Sequence, residues 1–272
     1  MHPFTASLDL RKPWLAAISE AAGAVLAQDD WRAALQARCA ALGLVNHRGL
    51  ALAFASQDEL PEGVAYESFI SDTGRVPTRD NLHDLFNALV WLSFPRTKCQ
   101  LNALQAAQIA QAGVGAVRGR TRDAITLFDE NAALLVLRDV PAGRALVEAL
   151  RAHAWPQFFV EGRAALAEHA EVWLFGHALM EKLCAPYKGI TAHAWVLMAP
   201  EEFFALAHAA RRAWLDQQLA AELARRTPAQ LTPACFTPLP VLGWPGWWPG
   251  QDAAFYADAT VFRPPRARRN PA

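Results

Sequence analysis

Cysteine is too sparse and too scattered in this sequence to organise a fold. Cys39, Cys99, Cys184 and Cys235 form no C-x-x-C pair, which argues against a disulfide scaffold or zinc knuckle and leaves buried reduced thiols as the expectation. Lysine is scarce as well. Lys12, Lys98, Lys182 and Lys188 stand among 26 basic residues, a bias we read as genome composition. Net charge is absent, with 26 basic residues facing 26 acidic ones, so no global field recruits nucleic acid or an anionic membrane. No uncharged apolar stretch approaches the roughly 18 residues of a membrane span. Near the N-terminus, Asp9, Arg11 and Lys12 precede an alanine-rich stretch broken by Ser19 and Glu20, unlike the uninterrupted apolar core of a secretory signal. These absences point to a soluble, cytoplasmic protein.

What is present suffices for a core: 53% of the 272 residues are hydrophobic and 19% charged, the balance of a globular chain. Helical spacing covers residues 13–26 and 30–42, with Asp29 or Asp30 as N-cap of the second and Gly43 as its stop. Residues 50–54 and 64–70 read as two strands of a hairpin across the turn-rich SQDELPEG. Residues 71–74 read as a turn. A helix is expected over 97–112, then a flexible GVGAVRGR loop without the Gly-Lys-Ser/Thr ending of a phosphate loop. Further strands are expected at 134–137, 171–175 and 191–198, and helices at 177–183 and 200–225. The expected fold is α+β (or α/β), a mainly helical single domain over residues 1–263 with a small sheet, then a loose basic tail over 264–272. An all-α fold, with the short apolar runs as buried helices, satisfies the same periodicity.

The most informative stretch is VPTRDNLHDLFNALVWLSFPRTKCQLN, residues 76–102. As a helix from Asn81, it sets Asp80, His83, Asp84 and Asn87 on one face and Leu82, Leu85, Phe86 and Leu89 on the other. Histidine, aspartate and amide are groups that move protons or bind metals. The bland alternative is a solvent-facing pair beside an Asp80 cap. Asn87 and Trp91 extend the stripe and suit open solvent poorly.

Other polar islands interrupt apolar sequence. Arg122 and Asp123, then Asp129-Glu130-Asn131, flank an apolar run, the stretch reading as a short helix or a turn that runs into the strand at 134–137. His177 and Glu181 lie four apart, adjoining on one helix face. This is the geometry of a ligand pair, of a glutamate fixing a histidine tautomer, or of a buried ion pair. Lys188, Thr191 and His193 follow. Trp244, Trp247 and Trp248 read as core anchors, with a ligand-stacking wall as the other option. Fitting His47, His83-Asp84 and Asp123 or Asp129 to HD-type metal phosphohydrolases fails on fold, since His47 lies in a loop and strands are expected.

The strings PTRDNLHDLFNALVWLSFPRTKCQLN, RDAITLFDEN, FGHALMEKL, KGITAHAW, LGWPGWWPGQ and FYADATVFRPPR, long and in order, resemble the bacterial domain-of-unknown-function family 3025. That resemblance covers most of the chain and implies no activity. Glycine is its expected residue where this chain has Ala132.

The leading expectation is an enzyme, a hydrolase in which His83, Asp84, Asp123, His177 and Glu181 converge as catalytic residues. In one version a divalent metal is the cofactor, with His83, Asp84, His177 and Glu181 as candidate ligands. In the other, His83 is a general base without metal. Arg79, Asn87, Arg122, Lys188 and Trp244 would bind a small-molecule substrate, with Arg79 or Arg122 holding an anionic group. The competing expectation is a binding module with an aromatic pocket of Trp91, Trp244, Trp247 and Trp248. There Arg263, Arg266, Arg268 and Arg269 would meet a phosphate backbone, which the neutral net charge argues against. A third is a polar core that only fixes the fold. Neither the identity of the metal nor the oligomeric state is written in the sequence.

Overall fold

Asp30, Asn81 and Asp252 each start the helix that follows with a side-chain cap to a backbone N–H. The structure is a computed structural model and describes residues 3–6, 8–112, 119–227 and 230–265. Most of the expected GVGAVRGR loop, and the basic tail from Arg266 on, lie outside the described residues.

A 3-10 segment, Pro13–Ile18, leads into α1 (Ser19–Leu26) and α2 (Trp31–Ala41). β1 (Ala53–Ser56), α3 (Tyr66–Thr73) and β2 (Arg75–Thr78) follow. Next come α4 (Leu82–Ser93), α5 (Pro95–Ala112) and α6 (Arg120–Asn131), then β3 (Ala132–Arg138) and α7 (Pro141–Arg151). A π-helical stretch, Pro156–Glu161, precedes α8 (Arg163–His169), β4 (Ala170–Leu174) and α9 (His177–Lys182). The chain continues through β5 (Thr191–Ala199), α10 (Glu201–Ala205), α11 (His208–Arg225), β6 (Thr237–Pro240) and α12 (Ala253–Tyr256). The fold is α+β and mainly helical, as expected. No helix among the described residues is long and apolar enough to cross a membrane.

The chain forms two compact units. The first comprises Met1–Ala132, Leu174–Cys184 and Leu206–Cys235; the second comprises Ala133–Trp173, Ala185–Ala205 and Phe236–Ala272. In the first, β1 and β2 pair in parallel, Phe54 opposite Val76 and Ser56 opposite Thr78. A parallel pair needs a crossover, and α3 supplies it. The hairpin expected from residues 50–54 and 64–70 is therefore corrected: the first strand begins at Ala53, and Tyr66 onward is helix. The reason lies in packing. Tyr66, Phe69, Ile70 and Thr73 repeat at helical spacing, and Phe69 and Ile70 are buried as α3 packs on α5. Gly74 ends α3 at φ 73, where a Cβ would stand 2.5 Å from the Ala51 carbonyl oxygen.

In the second unit the sheet order is β4-β3-β5-β6. The expected strands at 134–137, 171–175 and 191–198 are all in it. β6 was not foreseen, because its sequence TPLP contains two prolines. Proline is tolerated on an edge strand, and β6 is one, antiparallel to β5 with His193 opposite Pro238. The helix expected over 200–225 is two helices, α10 and α11, divided at Leu206 and Ala207 with no proline or glycine between to mark the break.

The junction of α4 and α5 is tight. Phe94 alone separates them, and α5 opens on Pro95, suited to a first helical position. Its cap comes from α11. Asp216, buried, accepts the backbone N–H of Arg96 at 3.0 Å and of Thr97 at 2.8 Å, and the Thr97 hydroxyl at 2.8 Å. Burial nonetheless leaves its carboxyl above the ordinary value, the Thr97 and Arg96 hydrogen bonds opposing. We expect Asp216→Ala to cost about 2–4 kcal/mol, as a lost cap plus buried donors left unpaired. Urea unfolding at neutral pH measures it, and an unchanged midpoint would show that the cap is dispensable.

Candidate metal centre

Three helices of the first unit bring the polar islands together. Asn81 caps α4, its side chain accepting the Asp84 N–H at 2.8 Å. Asp80, the cap expected from sequence, instead pairs at the surface with Arg32 at 3.0 Å. The rest of α4 is buried, Leu85, Phe86, Leu89 and Trp91 among its core residues, so its polar start has a fixed direction. Asp84 receives the Arg79 backbone N–H at 2.7 Å and the Arg79 guanidinium at 2.9 and 3.0 Å, closing the loop onto the helix.

α9 starts at Gly176, pressed against the end of α6. A Cβ there would fall 2.6 Å from the Ala132 nitrogen and the Asn131 Cα, a contact that backbone cannot yield to. The N–H groups of Phe175 and Gly176 both donate to the Ala132 carbonyl, at 3.1 and 2.9 Å. Ala132 itself is extended, with φ −75 and ψ 141, a backbone that needs no glycine. Of the two readings of this stretch, helix or turn, the structure has the helix: Asp129-Glu130-Asn131 is the last turn of α6, and its close approach to α9 places Glu130 beside His177.

His83 and His177, far apart in sequence, face each other with their Nε2 atoms 3.2 Å apart and rings nearly perpendicular at 76°. Glu130 Oε2 lies 3.8 Å from His177 Nε2. One ligand atom from each of His83, Glu130 and His177 falls within 4.8 Å of the others. A carboxylate lies within hydrogen-bond reach of His83 Nδ1, whereas the one nearest His177 Nδ1 is beyond it and that nitrogen has no hydrogen-bond partner among the described residues. Glu181 Oε2 is 2.9 Å from His83 Nδ1, and Asp129 Oδ2 is 3.8 Å from His177 Nδ1. Behind them lies Lys98, only 4% exposed, donating to Asp129 Oδ1 at 2.5 Å and Asn87 Oδ1 at 2.8 Å. Asn87 Nδ2 continues to the Tyr66 hydroxyl at 3.0 Å.

Electrostatics follow burial. Desolvation pushes His177 down to about 4, against the pull of Asp129, so its ring is neutral at neutral pH. Burial would raise Asp129, but Lys98 foremost and then His177 hold it below the ordinary value, so it stays ionised. Glu130 is raised by burial and by Asp129. Two imidazole nitrogens and a carboxylate oxygen are a donor set for a divalent transition ion. Two nitrogens on one tetrahedral zinc stand about 3.3 Å apart for Zn–N bonds of about 2.05 Å, close to the 3.2 Å found between His83 and His177. A His/His/Glu cluster able to hold a metal ion is thus present.

The cluster opens on a cavity of about 400 Å³ whose wall includes Tyr66, Glu67, Arg79, Asp84, Asn87 and Asp129. Of the residues singled out from sequence, the structure gathers His83, Asp84, His177, Arg79 and Asn87 here, with Glu181 behind His83. Asp123 and Arg122 lie in the first turn of α6 and do not line the cavity. Lys188 and Trp244 belong to the second unit, where Lys188 pairs with Asp258 at 2.7 Å. Trp91 is 2% exposed and has no face for a ligand. His47 bonds the Ser71 hydroxyl at 2.9 Å. The sequence marks Asp129 and Glu130 as a polar island but does not place them among the expected site residues, and it gives Tyr66 and Lys98 no role in the site. Lysine scarcity was the available signal for Lys98: where arginine is the habit, a kept lysine marks a place for a compact ammonium.

The family described as "Protein of unknown function (DUF3025)" matches residues 52–266. The chain belongs to this family. Comparison with curated proteins and with solved structures gives no match. Within the matched span lie all the residues of the cluster and of its supporting carboxylates.

Two outcomes are expected. Lys98→Met should destabilise the protein by about 3–5 kcal/mol, because it strands a buried aspartate without its cation; chemical denaturation measures this, and a loss below that of a surface lysine variant would refute it. The second concerns pH. Between pH 6.5 and about 4 the unfolded chain protonates His177 and the folded chain does not. Stability of chelator-treated protein should therefore fall on acidification through that window, and this contribution should be flat above it. Thermal melts across pH measure the slope, which His177→Asn should reduce.

Proposed function

We propose that this protein is a divalent-metal-dependent hydrolase whose metal ligands are His83, His177 and Glu130. One observation carries the reading: the Nε2 atoms of His83 and His177 converge to 3.2 Å beside Glu130, while Glu181 stands 2.9 Å from His83 Nδ1. Glu181 favours the proton of His83 on Nδ1, which leaves a lone pair on its Nε2; with His177 in the same tautomer the two lone pairs would repel unless a cation lay between them. Glu130 supplies the negative charge that such a cation needs. A divalent ion there would contribute Lewis acidity at the wall of the cavity, able to activate water or polarise a substrate oxygen. Glu181 orients the His83 imidazole, Asp129 sets a negative charge 3.8 Å from His177 Nδ1, and Lys98 keeps Asp129 charged. The half-buried Glu67, raised in pKa by burial, places a proton-accepting carboxylate on the same wall. A small-molecule substrate fits a cavity of this size.

A second reading is favoured by the His83–Glu181 contact of 2.9 Å, which would orient His83 as a general base without metal. Calorimetric titration of chelator-treated protein with zinc separates the two. We expect one equivalent to bind. His177→Ala or Glu130→Gln should abolish stoichiometric binding, Asp129→Asn should weaken it about 10–100-fold, and Asp123→Asn should leave it unchanged. Absence of stoichiometric binding by zinc, manganese, iron(II) and nickel would leave the metal-free version.

A further inference from the structure

Resting on the metal-dependent reading, we propose that the Tyr66 hydroxyl is the substrate-facing hydrogen-bond donor of this site. It receives the carbonyl oxygen of an uncharged or cationic amide or ester, rather than a phosphoryl oxygen. The argument starts at Lys98, whose ammonium has donors and no acceptor. Asn87 stands 2.8 Å from it through Oδ1, so the amide is oriented by chemistry: oxygen toward Lys98, NH2 away. That NH2 reaches the Tyr66 oxygen at 3.0 Å. The phenol oxygen therefore accepts, and its own proton must go elsewhere. Among the described residues it meets no acceptor, and Tyr66 lines the cavity that His83, Glu130 and His177 line. The proton is left for a ligand. Burial, together with the nearby Glu67, Asp84 and Asp129 carboxylates, holds the hydroxyl well above its ordinary pKa, so it donates and does not ionise.

Charge selects the substrate class. The cavity wall carries Glu67, Asp84, Asp129 and Glu130 against Arg79, whose guanidinium is held bidentately by Asp84. Even with Lys98 and a divalent ion counted, a phosphate dianion would enter a field without surplus positive charge. A neutral carbonyl group enters at no such cost, and the charge that grows on its oxygen during attack meets a donor already in place. In the hydrolysis, the water oxygen bonds to the carbonyl carbon and the C–N or C–O bond breaks. One water proton goes to the leaving nitrogen or oxygen, and the other is released as the product acid ionises. Tyr66 keeps its proton throughout.

The test uses zinc-loaded full-length protein, with acetohydroxamic acid as carbonyl probe and inorganic phosphate as its rival, both read by calorimetry. Wild type should bind acetohydroxamate more tightly than phosphate. Tyr66→Phe should weaken acetohydroxamate about ten-fold, the worth of one hydrogen bond to a charged oxygen, with zinc affinity unchanged. Zinc binding with equal acetohydroxamate affinity in Tyr66→Phe overturns the proposal and leaves the metal centre standing. So does tighter binding of phosphate by wild type, a comparison that needs no variant. Failure of wild type to bind zinc, manganese, iron(II) and nickel overturns both readings.

Discussion

A buried ammonium organises the first unit's polar interior. Lys98 sits within 5.3 Å of the Trp91 ring and donates to Asn87 and Asp129. Removing such a charge from water costs several kcal/mol, offset only where geometry and hydrogen bonding are good. Because Lys98 can only donate, it imposes direction on both partners. Through Asn87 it decides which way the Tyr66 hydroxyl acts. Through Asp129 it keeps a carboxylate charged behind His177. The two branches meet again at the cavity, so one cation sets both its donor and its ligand side.

That arrangement depends on backbone as much as on side chains. Asp216 fixes where α5 begins, and hence where Lys98 emerges from its first turn. Gly176 sets how closely α9 approaches α6, and hence the spacing of His177 and Glu130. The polar atoms are contributed by α4, α5, α6 and α9, but their distances are governed by two contacts, Asp216 of α11 on the start of α5 and Gly176 on the end of α6. A site built on helices held this way is stiffer than one built on loops.

Much of this was legible in sequence where the signal is local. Asp30 caps α2 as its position predicts. His83, Asp84 and Asn87 share a helix start, and His177 and Glu181 lie one turn apart on α9. What escaped was decided by distant partners. Residues 64–70 alternate like a strand, yet Phe69 and Ile70 gain more by burial against α5, which only the fold reveals. Asp129-Glu130-Asn131 reads as helix or turn, and α6 runs through it because Ile125 and Phe128 are buried one turn earlier. Lys98 looks like any lysine until Asp129 and Asn87 are found around it. The resemblance to family 3025 marked which islands belong together and left their chemistry to the geometry.

The prolines of β6 have a consequence beyond their place in the sheet. Leu239 stands opposite Ala192, and the Val241 N–H reaches back to the Ile190 carbonyl at 3.1 Å. By alternation, positions 238 and 240 are those whose N–H would face outward, and both are proline. The outer edge of the strand therefore offers no donor at either position. A strand from another molecule cannot extend the sheet there without leaving its own carbonyls unpaired. The segment guards against fibrous self-association while its inner edge completes the sheet.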